Sequence, residues 1–552
     1  MRRAVHSSLH SAAIAGATAR LVDVQVDLAL GIPGFYLVGL PDHACGDARV
    51  RCLTAIRNSG YALPSKKITV NLAPGDLRKE GAAFDLPIAL GVLCSAGLLP
   101  FPARPALVVG ELSLSGDVLP VRGVLPIALE ARRLGFETLL VPEANANEGA
   151  LVQGLRVYGA RSLVEATEIF SGESARAPAA PAPEVGGPSS GVDLSDVRGQ
   201  TTCKRALQIA AAGGHNALLI GPPGSGKTML ARRLPTLLPS LGFDEAVETT
   251  SVWSVAGRLR PGQGLLSERP FRAPHHTISV AGLIGGGSPP RPGEISLAHN
   301  GVLFMDELPE FGRAALEALR QPLEDGEVSV VRAGGAASLP ARFMLLAAMN
   351  PCPCGHQGDK DPARCKCSLA AKETYRRRVS GPILDRFDLH IEAPSLGASE
   401  LIGAPDGDSS AKVRDSVERA RDRQRARFAG RPGLYANAQL RGRLIRELCG
   451  ATLEAQRQVG ALLEGLGLSA RAHDRILKLA RTIADLEGSA HVHAGHVDEA
   501  ATLRCLDKPV EGPSGPDLPP ISAARERALK PKTKKSPGNP PGPSATPTKE
   551  SP

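Results

Sequence analysis

Aromatic side chains are scarce in this 552-residue chain: one tryptophan, five tyrosines and twelve phenylalanines. Stacking successive bases of a single nucleic-acid strand needs ring faces, so any grip on such a strand has to rest on charge. Long apolar runs are missing too. The most apolar stretch, at 86–99, is too short to cross a bilayer and carries Pro87 near its start, so no membrane association is expected. No secretory leader can be read behind Arg2 and Arg3, where a weakly apolar stretch with His6, Ser7 and Ser8 follows. A cytoplasmic protein with reduced thiols is the expectation.

Apolar residues make up 42% and charged residues 22%, ordinary proportions that allow sizeable buried cores. The length suits about three domains. The net charge of +9 favours polyanionic partners. From Asp507 to Pro552, eight Lys or Arg stand against five Asp or Glu, a net of +3 in a stretch that reads either as a solvated linker or as a polyanion contact. Residues 173–191 are rich in Ala, Pro, Gly and Ser, and those from about 509 onward in Pro, Lys, Ser and Gly. Neither segment can bury enough apolar surface to offset its ordering entropy. The chain therefore reads as an α/β multidomain protein: an N-terminal domain at 1–172, a linker at 173–191, a central domain at 192–395, a helical domain at 396–506 and a disordered basic tail at 507–552. In the first domain, 68–72, 106–110 and 138–141 read as strands and 124–134 as an amphipathic helix. Ile476, Leu477, Ala480, Ile483, Ala484 and Leu486 recur at helical spacing in the helical domain.

Leu218-Leu219-Ile220 reads as a strand that runs into Gly221-Pro222-Pro223-Gly224-Ser225-Gly226-Lys227-Thr228 and then into a helix at 229–238. This is the G-x4-G-K-[ST] phosphate loop in its strand–loop–helix setting. Its glycines let backbone N–H groups converge on phosphates at a helix N-terminus. Lys227 should contact the β- and γ-phosphates of ATP, and Thr228 should ligate Mg²⁺. A second apolar strand, Val302-Leu303-Phe304-Met305, ends in Asp306 and Glu307. Asp306 would hold Mg²⁺ and Glu307 would polarise the attacking water. A third strand, at 343–349, ends in Asn350, which suits either a sensor that orients that water or a turn. Charge developing on the γ-phosphate needs a cation in a dry site. Arg386 and Arg471 are candidates, and either would serve equally as a surface arginine.

Ten cysteines are present, four of them close together at Cys352, Cys354, Cys365 and Cys367. Two C-x-C pairs can form a tetrahedral Zn²⁺ site, or they can remain free or redox-active thiols.

At these residues the chain resembles the Mg-chelatase-like AAA+ proteins of the YifB/ComM type. The resemblance is carried by Arg269-Pro270-Phe271-Arg272-Ala273-Pro274-His275-His276 and by the stretch 284–311 that contains Asp306 and Glu307, and it extends from the first strand to about Leu506. It implies that Asn350 acts as sensor 1, Arg386 as an arginine finger and Arg471 as sensor 2. A finger works on a neighbour's nucleotide, so a hexameric ring is implied. The resemblance also implies a motor for DNA branch migration in natural transformation, with pore-facing insertions at 275–287 and 328–342. The tip of the second insertion lacks the lysine that related helicase hairpins carry. His275 and His276 suit core packing, a backbone clamp or a DNA contact. The alternative class is a chelatase-like or protein-remodelling ATPase.

The first domain resembles the Lon protease domain (a ribosomal S5 domain 2-like α+β fold) at 68–81 continuing to 84–87, and at 110–125. Lon-type chemistry needs a serine activated by a lysine. The serine position falls at Phe84 or Asp85 and the lysine position at Leu125, so a scaffold without peptidase activity is expected.

Overall fold

The computed structural model describes residues 6–102, 105–181, 191–260, 262–287, 290–332, 335–358, 361–395, 407–431, 433–466, 470–504 and 506. The expected tail at 507–552 and the central part of the expected linker lie outside the described residues.

The first domain is built on a seven-stranded mixed sheet of order β3-β4-β2-β1-β5-β8-β9. Its strands are β1 (His6–Ala15), β2 (Thr18–Ala29), β3 (Gly34–Val38), β4 (Lys67–Ala73), β5 (Ala106–Val108), β8 (Thr138–Pro142) and β9 (Arg156–Ala160), with a small hairpin of β6 (Glu111–Leu112) and β7 (Val118–Leu119) beside it. β1 and β2 form an antiparallel hairpin in register from His6 opposite Asp27 to Ala15 opposite Thr18. Val22, Val24, Val26 and Leu28 alternate into the core along β2, as the period of two requires. The helices Ala48–Asn58, Asp85–Ser95 and Leu163–Ser171 pack on one face, and Val124–Arg133 and Glu143–Gly149 on the other. Asp85–Ser95 is buried along its whole length, so the apolar run at 86–99 is a core helix. Among the described residues, no helix is long and apolar enough to cross a membrane. β5 stops at Val108, short of the expected 110, because Gly110 turns away to exchange backbone hydrogen bonds with Ala83 and Leu86. At the serine position Phe84 is buried, and Asp85 is buried against Arg51, whose Nη2 donates at 2.9 Å. At the lysine position Leu125 is buried.

The second domain holds β10 (Ala217–Ile220), β11 (Phe271–Arg272), the short pair β12 (Gly285–Gly286) and β13 (Arg291–Pro292), β14 (Val302–Met305), the hairpin β15 (Glu327–Arg332) and β16 (Gly335–Pro340), β17 (Met344–Met349) and β18 (Leu389–Glu392). Five of them form a parallel sheet of order β11-β14-β17-β10-β18. β10 and β14 are buried throughout, which explains why they read as unbroken apolar runs. The chain leaves β10 for the far edge, returns through β14 and β17, then crosses to β18. Neighbouring connections thus diverge at β10, and a crevice opens at its carboxyl end.

The helical region comprises Ser410–Arg427, Arg443–Leu448, Leu453–Leu466, Ala470–Glu487 and Ala494–Thr502. Ile476, Leu477, Ala480, Ile483 and Ala484 are buried, while Leu486 is partly so. They share one core with Leu219, Phe304 and Leu346 of the parallel sheet. The other face of the sheet packs under the β15–β16 hairpin and around Phe387. That hairpin also meets the first domain: at Gly16, in the β1–β2 turn, an added Cβ would lie 2.4 Å from the Ser338 carbonyl oxygen. Its tip, at 333–334, lies outside the described residues.

Candidate nucleotide site

The crevice at the end of β10 is walled by the phosphate loop. Gly224 and Gly226 adopt positive φ angles of 77° and 81°, and no atom lies within 4 Å of where their Cβ atoms would stand. Their backbone therefore faces open space directly before the helix Lys227–Leu237, a preformed cradle for anionic oxygens. The left-handed turn at Gly226 starts this helix two residues earlier than the sequence suggests. The buried Ser225 hydroxyl has no hydrogen-bond partner. Lys227 Nζ folds over the loop and donates to the carbonyls of Gly221 at 2.7 Å and Pro222 at 2.9 Å, and to Asn350 Oδ1 at 3.3 Å. Burial lowers the Lys227 pKa, against the pull of Asp306 and Glu307.

Thr228 Oγ1 donates to Asp306 Oδ2 at 2.7 Å, which joins the two expected Mg²⁺ ligands across the crevice. An open cradle of N–H groups, an orphaned serine hydroxyl, a lysine bonded only to neutral acceptors and a Thr–Asp pair fit a nucleotide triphosphate with Mg²⁺. Bound there, the metal would neutralise phosphate charge. Glu307 sits in a left-handed conformation with φ 53°, uncommon for a residue with a Cβ. This conformation leaves its carboxylate exposed, and His276 Nδ1 stands 3.4 Å from Glu307 Oε2. His276 thus touches the carboxylate expected to polarise the attacking water, a contact not foreseen from the sequence. Asn350 reaches Lys227 because β17 lies directly beside β10, with Met349 in register with Ile220.

Arg386 and Arg471 lie elsewhere. Arg386 precedes β18, whose first residue Leu389 pairs with Ala217 at the amino end of β10. The length of β10, about 13 Å, separates it from the phosphate loop. Arg386 pairs with Glu324, and Arg471 with Asp385 at 2.8 Å. Arg475 also contacts Asp385, at 3.4 Å, and donates to its carbonyl. Arg386, Arg441, Arg471 and Arg475 line a cavity of about 1030 Å³. Burial, then the neighbouring guanidinium groups of Arg320, Arg471, Arg475 and Arg441, lower the pKa of Arg386. Glu324, Asp325, Asp385 and Asp388 share the lining, so these guanidinium groups stand among carboxylates, and Arg386, Arg471 and Arg475 are paired with Glu324 and Asp385. Arg475 was legible in the sequence as the residue one turn beyond Arg471, on the same helical face.

The four clustered cysteines meet just beyond Asn350. Their sulfur atoms all lie within 4.8 Å of one another. A backbone N–H bond at His356 draws the Cys354 thiol down to about 6, whereas burial pushes Cys352 up to about 12. Cys45, Cys52, Cys94, Cys203 and Cys449 are buried and free of disulfides.

Family models match three stretches of the chain: subunit ChlI of Mg-chelatase at residues 24–145, magnesium chelatase subunit ChlI at 193–401 and its C-terminal part at 407–504. The competence protein ComM of Haemophilus influenzae is 44% identical over 511 residues, covering 90% of this chain and 97% of ComM. YifB of Escherichia coli is 43% identical over 506 residues, covering 91% of this chain and 97% of YifB. The DNA replication licensing factor Mcm6 of Drosophila melanogaster is 28% identical over 233 residues, 41% of this chain and 27% of that protein.

Proposed function

The chain belongs to the Mg-chelatase-like AAA+ family of ComM and YifB, and from that premise we propose that it is a cytoplasmic ATPase that drives DNA translocation, as branch migration during the recombination of incoming DNA. ATP and Mg²⁺ are its cofactors: Gly221–Gly226 and Lys227 hold the phosphates, Thr228 and Asp306 the metal, and Glu307 and Asn350 orient the attacking water. The observation that supports this reading is the division of the hydrolytic groups between two edges of one sheet. Lys227 and Glu307 follow the carboxyl ends of β10 and β14; Arg386 precedes the amino end of β18, and Arg471, on the helix Ala470–Glu487, pairs with the neighbouring Asp385. In this conformation a subunit keeps these arginines away from its own phosphate loop. A neighbour in a closed ring can offer them, and we take that ring to be a hexamer. The first domain, which we read as Lon-like, serves as a ring-forming or DNA-facing scaffold.

The test is ATP hydrolysis by the full-length protein with and without forked or four-way DNA, at low and moderate salt. Stimulation by DNA that fades with salt, and is abolished in Lys227→Ala and Glu307→Gln, is the expected result. Robust hydrolysis indifferent to every DNA would sink the motor reading and favour a chelatase-like ATPase acting on a protein partner.

A further inference from the structure

Between the end of β17 and the helix Leu369–Arg377 the chain follows a long irregular path. Its one element of regular structure among the described residues is the single turn Pro362–Arg364. Loops longer than about 12–15 residues without structure of their own are uncommon in compact domains and need something to order them. This segment has almost no apolar core: Cys352 is its one fully buried apolar side chain among the described residues.

What the segment does have is four sulfur atoms at one point. Cys352 Sγ lies 3.4 Å from Cys354 Sγ and 3.8 Å from Cys365 Sγ, and Cys354 Sγ lies 3.9 Å from Cys365 Sγ. Tetrahedral zinc with sulfur ligands at about 2.3 Å has sulfur–sulfur edges of about 3.8 Å. A disulfide needs about 2.05 Å. Backbone N–H groups of Gln357 and His356 point at the sulfurs of Cys352 and Cys354, the outer hydrogen bonds that steady thiolate ligands. Gly355 N–H closes the turn by donating to the Cys352 carbonyl at 3.0 Å.

The same turn touches the phosphate cradle. Gly355 has φ 82°, and a Cβ added there would lie 2.5 Å from Pro223 Cδ. On the other side of the cluster, Asn350 reaches Lys227 through its side chain and gives its backbone N–H to the Tyr375 hydroxyl. The cysteine knot is therefore tied to the phosphate loop at two points, Pro223 and Lys227.

We propose that Cys352, Cys354, Cys365 and Cys367 hold one structural zinc ion, and that this ion braces the phosphate loop through Gly355 and Asn350. The second half rests on the nucleotide reading of that loop; the first does not. The bound metal supplies the cross-links that the missing core does not, so its binding energy is ordering energy for the segment.

The experiment uses the full chain. Zinc content is measured by elemental analysis, and affinity for a fluorescent ADP analogue is measured before and after zinc is withdrawn with an organomercurial and a chelator. One zinc per chain is expected, with loss of most of it in the Cys365→Ser/Cys367→Ser variant. Withdrawal should weaken the ADP analogue by about tenfold, the size of one lost hydrogen-bonded wall of a site, with recovery on adding zinc back. Gly355→Val keeps all four thiols but strains the positive-φ turn they share, so its zinc content is measured beside its affinity; retained zinc with lost affinity is expected. A zinc-free protein whose four thiols react freely, even after expression with added zinc, overturns the site. Full zinc together with unchanged affinity on withdrawal and in Gly355→Val overturns the bracing. Failure of the untreated protein to bind the analogue counts against the nucleotide reading and leaves the zinc measurement standing.

Discussion

At the scale of single residues, the groups that read clearly from the sequence are those whose roles are set by local spacing. Lys227 and Thr228 follow the glycines of their loop, and Asp306 and Glu307 close an apolar strand. The structure brings these four and Asn350 around one crevice. The contact between His276 and Glu307 was not legible, because about 30 residues separate the two and no periodicity links them. Its consequence is testable. With Nδ1 at 3.4 Å, His276 is placed to steady the Glu307 carboxylate if that group polarises the attacking water. An ion pair this exposed is worth about 0.2–1 kcal/mol, so His276→Ala should lower kcat by up to about fivefold. KM and nucleotide affinity should stay within about twofold, since the phosphate cradle is untouched. A parallel rise in KM would mean instead that the histidine shapes the pocket.

At the scale of elements, strands and helices were legible where burial on one or both faces imposed its period, as in β4, β10 and Ala470–Glu487. The polar joints between elements were not, because each joins residues far apart in the chain. The clearest is buried between β10, β18 and the helical region. His215 Nδ1 bonds Asp388 Oδ2 at 2.9 Å, and His215 Nε2 bonds Thr482 Oγ1 at 2.8 Å. Lys478 stands 3.3 Å from the same aspartate. Burial lowers the pKa of His215, and the Asp388 hydrogen bond only partly offsets this. Burial opposes ionisation of Asp388, yet Lys478 and His215 outweigh it and hold its carboxyl well below the usual range. The sign follows. The unfolded chain takes up a proton at this histidine below its ordinary 6.5, while the folded chain resists it. Stability from this joint is complete above pH 6.5 and is lost as pH falls towards the folded value, at up to about 1.4 kcal/mol per pH unit. The contribution of Asp388 fades only in stronger acid. Thermal melts between pH 8 and pH 5 should show a midpoint that drops on the acid side, and His215→Gln should flatten that slope. An equally steep slope in the variant would place the sensitive group elsewhere.

At the scale of the whole molecule, the separation of the arginine cavity from the phosphate loop makes a sharp statement about assembly. Lys227→Ala removes the loop's cation but leaves Arg386 in place, and Arg386→Ala does the reverse. Each variant alone should hydrolyse ATP at about a hundredth of the normal rate or less. Mixed in equal amounts and allowed to exchange subunits, the two should recover a measurable fraction of activity, because some interfaces then pair an intact loop with an intact arginine. No recovery from a mixture proven to be co-assembled would mean that each subunit uses its own arginine after a large rearrangement. The sheet order behind this division emerges only in the fold, since nothing in the sequence places β18 beside β10. One contact described above adds a mechanical consequence. The turn at Gly16 packs closely on Ser338 in β16, β16 leads on to β17, and Asn350 follows the end of β17. These parts stand in series, like links under tension. Should the proposed motor act, movement at the cradle has this path to the first domain, and a change at the β1–β2 turn has the same path back.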